Sequence, residues 1–426
     1  MNPDLPIPDD VSRRLARGWL WIGIAALIGS GLLAVLLVLA RTPGIQDVFP
    51  LRDFFRAALV VHVDLSVAIW FMAFAGVPWS LIGGARWAAL ARSGLVLAAI
   101  GTALLTLSPF FPGALPVLNN YIPVLDHPVF FAGLGIAGAG FALTIVRTLV
   151  CGLPGAATGS SLAWGIWLSS LAGAVAMVLF GAGWLQRPAW EGQALYEAVF
   201  WAGGHALQFQ HTLLLAVGWF ALAAALGHPP LRLPRTTALL FWLAALPVAA
   251  APLVLLAGPP GSAGHVAGYA RLMEWGHPLM LPLVAAAGLA LYRVLGQSSP
   301  LKSAFLASFV LFAAGGVLAY MIRGANVVIP AHYHGSIVGV TLAFMGLTYL
   351  LLPRLGWAEP TGRLARWQPY VDGGGQLLHI LGLAWSGGYG VQRKVAGAEQ
   401  VLVSVPQKIG MGMMGLGGLI AIIGGL

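Results

Sequence analysis

The chain has 426 residues, of which 59% are hydrophobic and only 8% are charged, and its formal net charge is +9 at pH 7. A soluble protein covers much of its surface with polar and charged side chains, so this composition excludes an ordinary soluble enzyme. The positive charge does not indicate a nucleic-acid-binding protein, because the lysines and arginines lie in short segments between apolar runs.

Apolar runs long enough to cross about 30 Å of hydrocarbon recur from one end of the chain to the other. They predict an all-α integral membrane protein with about twelve transmembrane helices. The predicted spans are 19–40, 57–83, 88–109, 127–150, 161–184, 195–226, 236–257, 270–295, 303–323, 331–353, 372–390 and 405–426. Because the connecting segments are short, we expect residues 1–426 to form a single polytopic domain, with 1–18 as a cytoplasmic N-terminal segment before the spans of 19–426.

A modest excess of arginine and lysine on one side predicts that the N-terminus is cytoplasmic, in a bacterial inner membrane. The outer side nevertheless receives several cations, including Arg41, Arg393 and Lys394, which need a separate explanation. The first span is long and has no small-residue cleavage site, so we expect a retained helix. Cys151 is the only cysteine, which leaves no CxxCH motif for covalent heme attachment.

Histidines from four separate segments are expected at one depth, in the outer third of the membrane. Ionisable side chains at membrane depth are costly and mark functional sites, and a common depth is what a set of heme or metal sites requires. Two of them, His332 and His334, lie two positions apart in IPAHYHG and therefore point about 200° apart on a helix. One helix can then offer an imidazole to each of two centres. The five predicted ligands are His62, His205, His265, His332 and His334.

The remaining histidines carry weaker signals. We expect His127 to make a hydrogen bond at the entrance of the fourth span, and His211 to pack in the core because it lies about 120° from the face of His205. His277 and His379 lie in spans, where a structural role is favoured over a bond to the edge of a cofactor.

These segments resemble the catalytic subunit of the heme-copper oxidase superfamily, which includes oxygen reductases and nitric oxide reductases. The resemblance covers nearly the whole chain and implies a twelve-helix bundle of the subunit I type. Its tenth helix carries a His-x-His pair, here His332 and His334, and its second helix carries a histidine, here His62. Its sixth helix places a metal-binding histidine after an aromatic pair, as His205 follows Phe200 and Trp201.

The resemblance implies two hemes and one non-heme metal, either copper or iron. His62 and His334 would bind a low-spin heme on both axial sides, and His332 would bind a high-spin heme whose other face stays open for a gas. The family follows a His-x-x-Gly-Leu segment with paired basic residues that hold heme propionates. Here His379 begins such a segment, and Arg393 and Lys394 follow it after a longer gap than usual.

The chain departs from the family at the non-heme metal. The family supplies two adjacent histidines after the seventh span, whereas this chain has no adjacent pair. In one placement His265 keeps the first ligand and Val266 replaces the second; in the other, Pro260 and Gly261 replace both. We favour the first placement. The amide oxygen of Gln208, one helical turn from His205, could complete the site, although an interhelical hydrogen bond is an equal alternative.

A second departure bears on the reaction. Many oxygen reductases carry a tyrosine four residues after the sixth-helix histidine, and this position is Phe209. Coupling two nitric oxide molecules to nitrous oxide needs only two electrons and two protons, so it requires no side-chain radical. The sequence therefore predicts a terminal respiratory oxidoreductase that is closer to a nitric oxide reductase. The alternatives are an oxygen reductase that lacks the usual tyrosine and a non-catalytic diheme electron-transfer subunit, while a polytopic transporter is disfavoured.

The proton and electron sources can be predicted only in outline. The seventh and eighth spans are apolar over their inner parts, which favours protons from the outer side, with Glu197 as the main relay candidate beside Glu191 and Glu274. Because the chain has no covalent heme site, the electrons must come from a cytochrome c subunit, from a copper-domain subunit of the subunit II type, or from a quinol in the lipid bilayer.

Overall fold

The structure is a computed structural model that describes residues 5–6, 8–45, 54–155 and 160–425. Within them the chain forms fourteen α-helices and one two-stranded hairpin. The helices are α1 (Asp10–Leu39), α2 (Phe55–Val63), α3 (Trp70–Gly83), α4 (Ala88–Leu107), α5 (Pro128–Cys151), α6 (Ser161–Leu185), α7 (Gly192–Ala225), α8 (Pro234–Ala250), α9 (Ala263–Gly276), α10 (Leu281–Val294), α11 (Pro300–Tyr320), α12 (Val328–Leu351), α13 (Arg363–Gly388) and α14 (Val405–Gly425). The strands are β1 (Leu115–Val117) and β2 (Val124–Asp126).

Eleven helical segments among the described residues are long and apolar enough to cross a membrane. Two of them combine shorter helices: a π-helical stretch, Asp64–Ile69, joins α2 to α3, and a 3₁₀ turn, His277–Met280, joins α9 to α10. Large apolar side chains such as Leu32, Leu253 and Leu416 remain exposed, as lipid-facing side chains do. The predicted all-α integral membrane fold is confirmed. The eleventh predicted span also forms a helix, α13, but it is not among these eleven.

The first helix begins at Asp10, nine residues before the predicted start of the first span at residue 19. The carboxylate of Asp9 accepts hydrogen bonds from the backbone N–H groups of Val11, at 2.9 Å, and Ser12, at 2.7 Å. Although burial raises the pKa of Asp9, the hydrogen bonds from Ser12 and Val11 have the larger combined effect and lower it. Asp9 is therefore an N-cap, and half of the predicted N-terminal segment is helical.

The chain divides into two compact units, and the prediction of one polytopic domain stays a prediction. The first unit comprises Met1–Leu27, Val63–Ala290 and Arg354–Trp357; the second comprises Ile28–His62, Leu291–Pro353 and Ala358–Leu426.

In the second unit, α11 packs against α12 and α13 packs against α14 at very short backbone separations. A Cβ atom on Gly315 of α11 would collide with the backbone of α12 at Gly335 and Ser336. Glycines at seven-residue intervals do the same between the last two helices, where a Cβ on Gly382 or Gly417 would strike the backbone of the facing helix. Small residues of this kind let membrane helices approach closely.

In the first unit, α4 packs against α5, and α6 packs against α7, α8 and α5. The connection between α4 and α5 is a hairpin in which β1 pairs antiparallel with β2, Val117 opposite Val124. Its tip carries residues 118–123. A buried core cluster surrounds the middle of α7 and consists of Ala176, Leu179, Ala202, Ala206, Ala251 and Tyr269.

Candidate functional site

Four histidines lie in the second unit and make up the second-unit cluster: His62, His332, His334 and His379. His332 and His334 are in the first turns of α12, and the ring of His334 contacts the ring of His379 of α13, with 4.9 Å between centroids. His62, near the end of α2, is close enough to His334 for the two rings to interact electrostatically. The structure thus brings together the predicted low-spin pair, His62 and His334, and adds His379, for which sequence reasoning favoured a structural role.

Three of these imidazoles are held through Nδ1 by a backbone carbonyl. His332 contacts the carbonyl of Gly315 at 2.8 Å, and His379 contacts the carbonyl of Met414 at 2.9 Å. His62 contacts the carbonyl of Ser30 at 3.0 Å, and the hydroxyl of the same serine at 2.9 Å. A carbonyl only accepts, so Nδ1 carries the proton in each ring. The lone pair is then on Nε2, which is the tautomer that metal-ligating histidines adopt.

The close helix packing explains where these carbonyls come from. The glycine at position 315 has no side chain to keep α12 away, so the ring of His332 reaches its carbonyl directly. The carbonyl of Met414 is presented to His379 where Gly417 and Gly418 bring α14 against α13, and a Cβ on Gly418 would press on Nδ1 of His379. The glycines that let these helices approach closely therefore also set the orientations of the histidine rings.

A partly buried cation lies beside this cluster. Arg41 follows α1, and its Nη2 donates to the carbonyl of Gln392 at 3.5 Å. Its buried Nε has no hydrogen-bond partner among the residues that the structure describes. No ion pair of Arg41 occurs in the part of the chain that the structure describes. Burial lowers the pKa of Arg41 to about 10, against a smaller opposing effect of Tyr333. A partly buried guanidinium without an ion pair among the described residues fits a carboxylate that is not part of the chain, such as a heme propionate.

The predicted propionate pair lies in the loop after α13. The backbone N–H of Val327 donates to the carbonyl of Val391 at 3.0 Å, which ties this loop to the residue that precedes α12. Arg393, like Arg41, acts electrostatically on Tyr333. Lys394 adopts a left-handed backbone conformation, with φ at 63°. The structure thus brings Arg393 to the entrance of α12, and adds Arg41, which sequence reasoning recognised only as an outer cation.

The first unit holds a different histidine cluster. His205 of α7 is buried, and its Nδ1 contacts the carbonyl of Trp201 at 2.6 Å, which again leaves the lone pair on Nε2. Its ring contacts Tyr121, with centroids 4.8 Å apart, and Tyr269, at 5.8 Å. His265 of α9 contacts the same Tyr269 at 5.1 Å and acts electrostatically on His205. The two predicted metal ligands therefore lie in one cluster.

His265 is fully buried, and in the described part of the chain its Nε2 has no hydrogen-bond partner. Its Nδ1 accepts a long hydrogen bond, 3.3 Å, from the backbone N–H of Gly261, so the proton is on Nε2 in this arrangement. Binding a metal through Nε2 would require that weak bond to be given up. His265 lies near His205, as expected from the favoured placement, in which it occupies the position of the family's first adjacent histidine. Its role as a ligand stays a prediction.

Gln208 and Glu197 both contact the tip of the hairpin between α4 and α5. The amide Nε2 of Gln208 donates to the phenol oxygen of Tyr121 at 3.2 Å. The carboxylate of Glu197 accepts a hydrogen bond from the backbone N–H of Asn120, at 3.0 Å, and another from its side-chain amide. Glu197, predicted as a proton relay, thus anchors the residue that precedes Tyr121.

The position expected to carry a phenol is occupied by Phe209, whose ring stacks on His277 with centroids 4.6 Å apart. Two tyrosines nevertheless reach His205 from other elements, Tyr121 from the hairpin and Tyr269 from α9. The hydroxyl of Tyr269 donates to the carbonyl of Ala251 at 2.9 Å. Reasoning from sequence position alone missed both, because neither lies near His205 in the chain.

The ligand side chains of the two clusters fit different cofactors. The carbonyl-anchored imidazoles and the unpaired Arg41 of the second unit fit hemes. The first unit offers the predicted ligands His205 and His265 and the Gln208 amide, with His277 also near His205. No group of three or more histidine, cysteine or acidic side chains suited to a metal occurs among the described residues. A non-heme metal would need an oxygen ligand from Gln208 or from water.

The weaker histidine predictions can also be compared with the structure. His127 accepts a hydrogen bond from the N–H of Val129 at 3.2 Å and caps α5, which confirms its role at the helix entrance. His211 packs against Phe71, with ring centroids 4.4 Å apart.

No model of a known protein family matches the chain. An uncharacterized protein of Rickettsia prowazekii is 30% identical, over 97% of this chain and 94% of its own length. An uncharacterized protein of Aquifex aeolicus is 27% identical, over 83% of this chain and 88% of its own length. A solved structure of a heme-copper terminal oxidase dimer superposes with a TM-score of 0.75 at 16% identity, over 98% of this chain and 82% of that chain. The Rickettsia prowazekii protein is similar enough to show a family, and the oxidase structure shows the fold.

Proposed function

Because the chain belongs to the family of the uncharacterized Rickettsia prowazekii protein and has the fold of a heme-copper terminal oxidase, we propose that it is a terminal respiratory gas reductase. The observation that carries the proposal is the second-unit cluster, in which imidazoles from different helices are held by backbone carbonyls beside Arg41, which has no ion pair within the described ranges. Such a donor set is suited to iron porphyrin.

In this proposal His62 and His334 hold a low-spin heme, and His332 holds a high-spin heme. Arg41 and Arg393, with Lys394, neutralise the propionates, and His379 packs against His334 and limits the rotation of its ring. His205, His265 and Gln208 hold the non-heme metal. Two hemes and a metal of this kind would supply electron relay and the binding points for a gas.

The substrate that we propose is nitric oxide, which is reduced to nitrous oxide. Two observations support it: Phe209 stands at the usual tyrosine position, and no group of three histidine, cysteine or acidic side chains suited to a metal occurs among the described residues. Oxygen is the second candidate, because the phenols of Tyr121 and Tyr269 contact His205 and could serve where the usual tyrosine is missing. Electrons would come from an associated cytochrome c subunit, a copper-domain subunit or a quinol.

Spectroscopy, metal analysis and gas turnover of the protein, purified from a bacterial inner membrane with its native cofactors, distinguish these hypotheses. We expect an optical spectrum of two hemes, one non-heme copper or iron per chain, and faster consumption of nitric oxide than of oxygen. Faster reduction of oxygen to water would assign an oxygen reductase. Two hemes without the third metal and without gas turnover would assign a diheme electron-transfer subunit. A protein without heme would overturn the proposal.

A matched pair of variants tests the assignment of ligands. His334→Ala removes a proposed axial ligand, so we expect the low-spin heme spectrum to disappear. His127→Asn is the control, because asparagine also accepts a hydrogen bond at a helix N-cap and His127 contacts no proposed ligand. An unchanged low-spin spectrum in His334→Ala would remove that residue from the site.

A further inference from the structure

We infer that Tyr121 is a positioning residue of the His205 site, whose phenol oxygen holds the Gln208 amide so that its oxygen serves as the third ligand of the non-heme metal. The inference rests on the proposed function, since it presupposes a metal at His205 and His265.

The first support is that Tyr121 contacts two members of the site at once. Its ring lies 4.8 Å from the ring of His205, and its oxygen accepts the amide hydrogen of Gln208 at 3.2 Å. His205 and Gln208 are three residues apart on α7 and therefore share a face of the helix. With Nε2 engaged by the phenol, the amide oxygen of Gln208 is turned away from Tyr121 and remains able to coordinate a metal.

The second support is that the hairpin tip is built to hold Tyr121 in place. The side-chain oxygen of Asn119 accepts hydrogen bonds from the N–H groups of Tyr121, at 3.1 Å, and Ile122, at 3.0 Å. Glu197 fixes Asn120 from α7, and the pairing of β1 with β2 closes the hairpin below. Tyr121 is thus fixed on both sides along the chain, although it lies in a loop.

The third support is in α7 itself, where two glycines precede His205. A Cβ on Gly204 would penetrate the ring of Tyr121, whereas a Cβ on Gly203 would penetrate the ring of Phe180. The glycine at position 204 therefore makes the space that Tyr121 occupies beside His205. The glycine at position 203 serves an apolar contact with no link to Gln208, which provides a matched control.

The test measures the affinity of the protein for copper(II) after the non-heme metal has been removed, with both hemes retained. We expect Tyr121→Phe to weaken copper binding about 10- to 100-fold, the usual effect of losing a partner that orients a ligand. The ring stays, so the packing against His205 is kept. Gly204→Ala, which displaces the whole ring, should weaken binding at least as much, and Gly203→Ala should bind copper like the wild type.

A rescue distinguishes positioning from structural damage. A carboxylate has two equivalent oxygens and needs no orientation by a neighbour, so Gln208→Glu should restore copper affinity in the Tyr121→Phe background. The heme spectrum of each variant reports whether the protein has folded. Unchanged affinity in Tyr121→Phe, or failure of the rescue with intact heme spectra, overturns the inference while the proposed function stands. A wild-type protein that binds no copper or iron at this site overturns both.

Discussion

The two histidine clusters of this protein are held in place in different ways. In the second unit, Nδ1 of His332 and of His379 contacts backbone carbonyls, which close helix packing presents. In the first unit, His205 is also held by a carbonyl, but the other groups depend on side chains from a hairpin and on one long hydrogen bond.

A site can therefore be fixed by backbone packing or by side-chain contacts, and the two kinds of site respond differently to substitutions. A carbonyl in the middle of a helix moves only if the helix moves, so the second-unit cluster should fail as a whole when its helices are separated. The first-unit cluster should lose single ligands, one substitution at a time, while its helices remain packed.

The largest effect is expected for Gly315→Val. The new side chain would force α11 and α12 apart, at a cost of about 1–3 kcal/mol or more, and would carry the anchor of His332 away from its ring. We expect loss of the high-spin heme signal and a lower Tm.

The neighbouring Gly316→Val is the control, because a Cβ there would meet no other atom within 4 Å. Equal heme content and Tm in the two variants would show that the second-unit cluster does not depend on helix contact.

A smaller effect is expected for His379→Ala. The ring of His334 would lose its neighbour at 4.9 Å and could rotate about its own bonds. We expect the low-spin heme to be retained but its absorption band to broaden and shift, measured in the reduced state. His211→Ala removes a ring that contacts Phe71 in the first unit, and should leave that band unchanged. Complete heme loss in His379→Ala would instead make His379 an axial ligand.

Arg41→Ala tests the proposed propionate contact. Removal of a partly buried positive charge disfavours the more negative, reduced heme, so the low-spin reduction potential should fall, and heme loss to an external acceptor should become about tenfold faster. Arg56→Ala is a suitable control, because Arg56 is exposed and already forms an ion pair with Glu399 at 3.3 Å. A potential that is the same in both variants would contradict the assignment.

The smallest effect is expected for Asp9→Ala, which removes the cap of α1 without touching either cluster. Loss of an N-cap destabilises a helix by about 1 kcal/mol. The folded-state pKa of Asp9 lies below its usual value of 3.8, so the stabilisation is complete above that pH and is lost as the pH falls through the lowered pKa. The free energies of unfolding of wild type and variant should therefore differ at pH 7, and the difference should shrink as the pH is lowered below 3.8. A constant difference would refute the cap.

The sequence predicted the helices well because apolar runs of this length have few alternatives. It also predicted that His62 lies near His334, since both matched a family pattern, and that His205 lies near His265 in the favoured one of two placements. The roles of these residues stay predictions. Tyr121 could not be predicted, because a tyrosine in a loop follows no periodicity and its contact with His205 depends on the hairpin. One signal was present: the paired glycines before His205 indicated that large side chains approach α7 there.

Arg41 and His379 were missed for a different reason. Each was visible as a charged or polar residue in an apolar setting, but the sequence did not show which partner it met. The start of α1 was misplaced because its first turns are too polar for a membrane window, although the Asp9 cap is a recognisable signal.

The glycine-lined contact between α13 and α14 has a consequence for biogenesis. The helix α13 is not among the eleven segments apolar enough to cross a membrane and carries Asp372 in its sequence, so it is poorly suited to partition into lipid from a translocon by itself. The backbone of α13 at Asp372 packs closely against α14 at Gly424, where a Cβ atom would collide with it. The two helices should therefore enter the bilayer together as a hairpin, and a ribosome that stops before α14 should leave α13 outside the membrane.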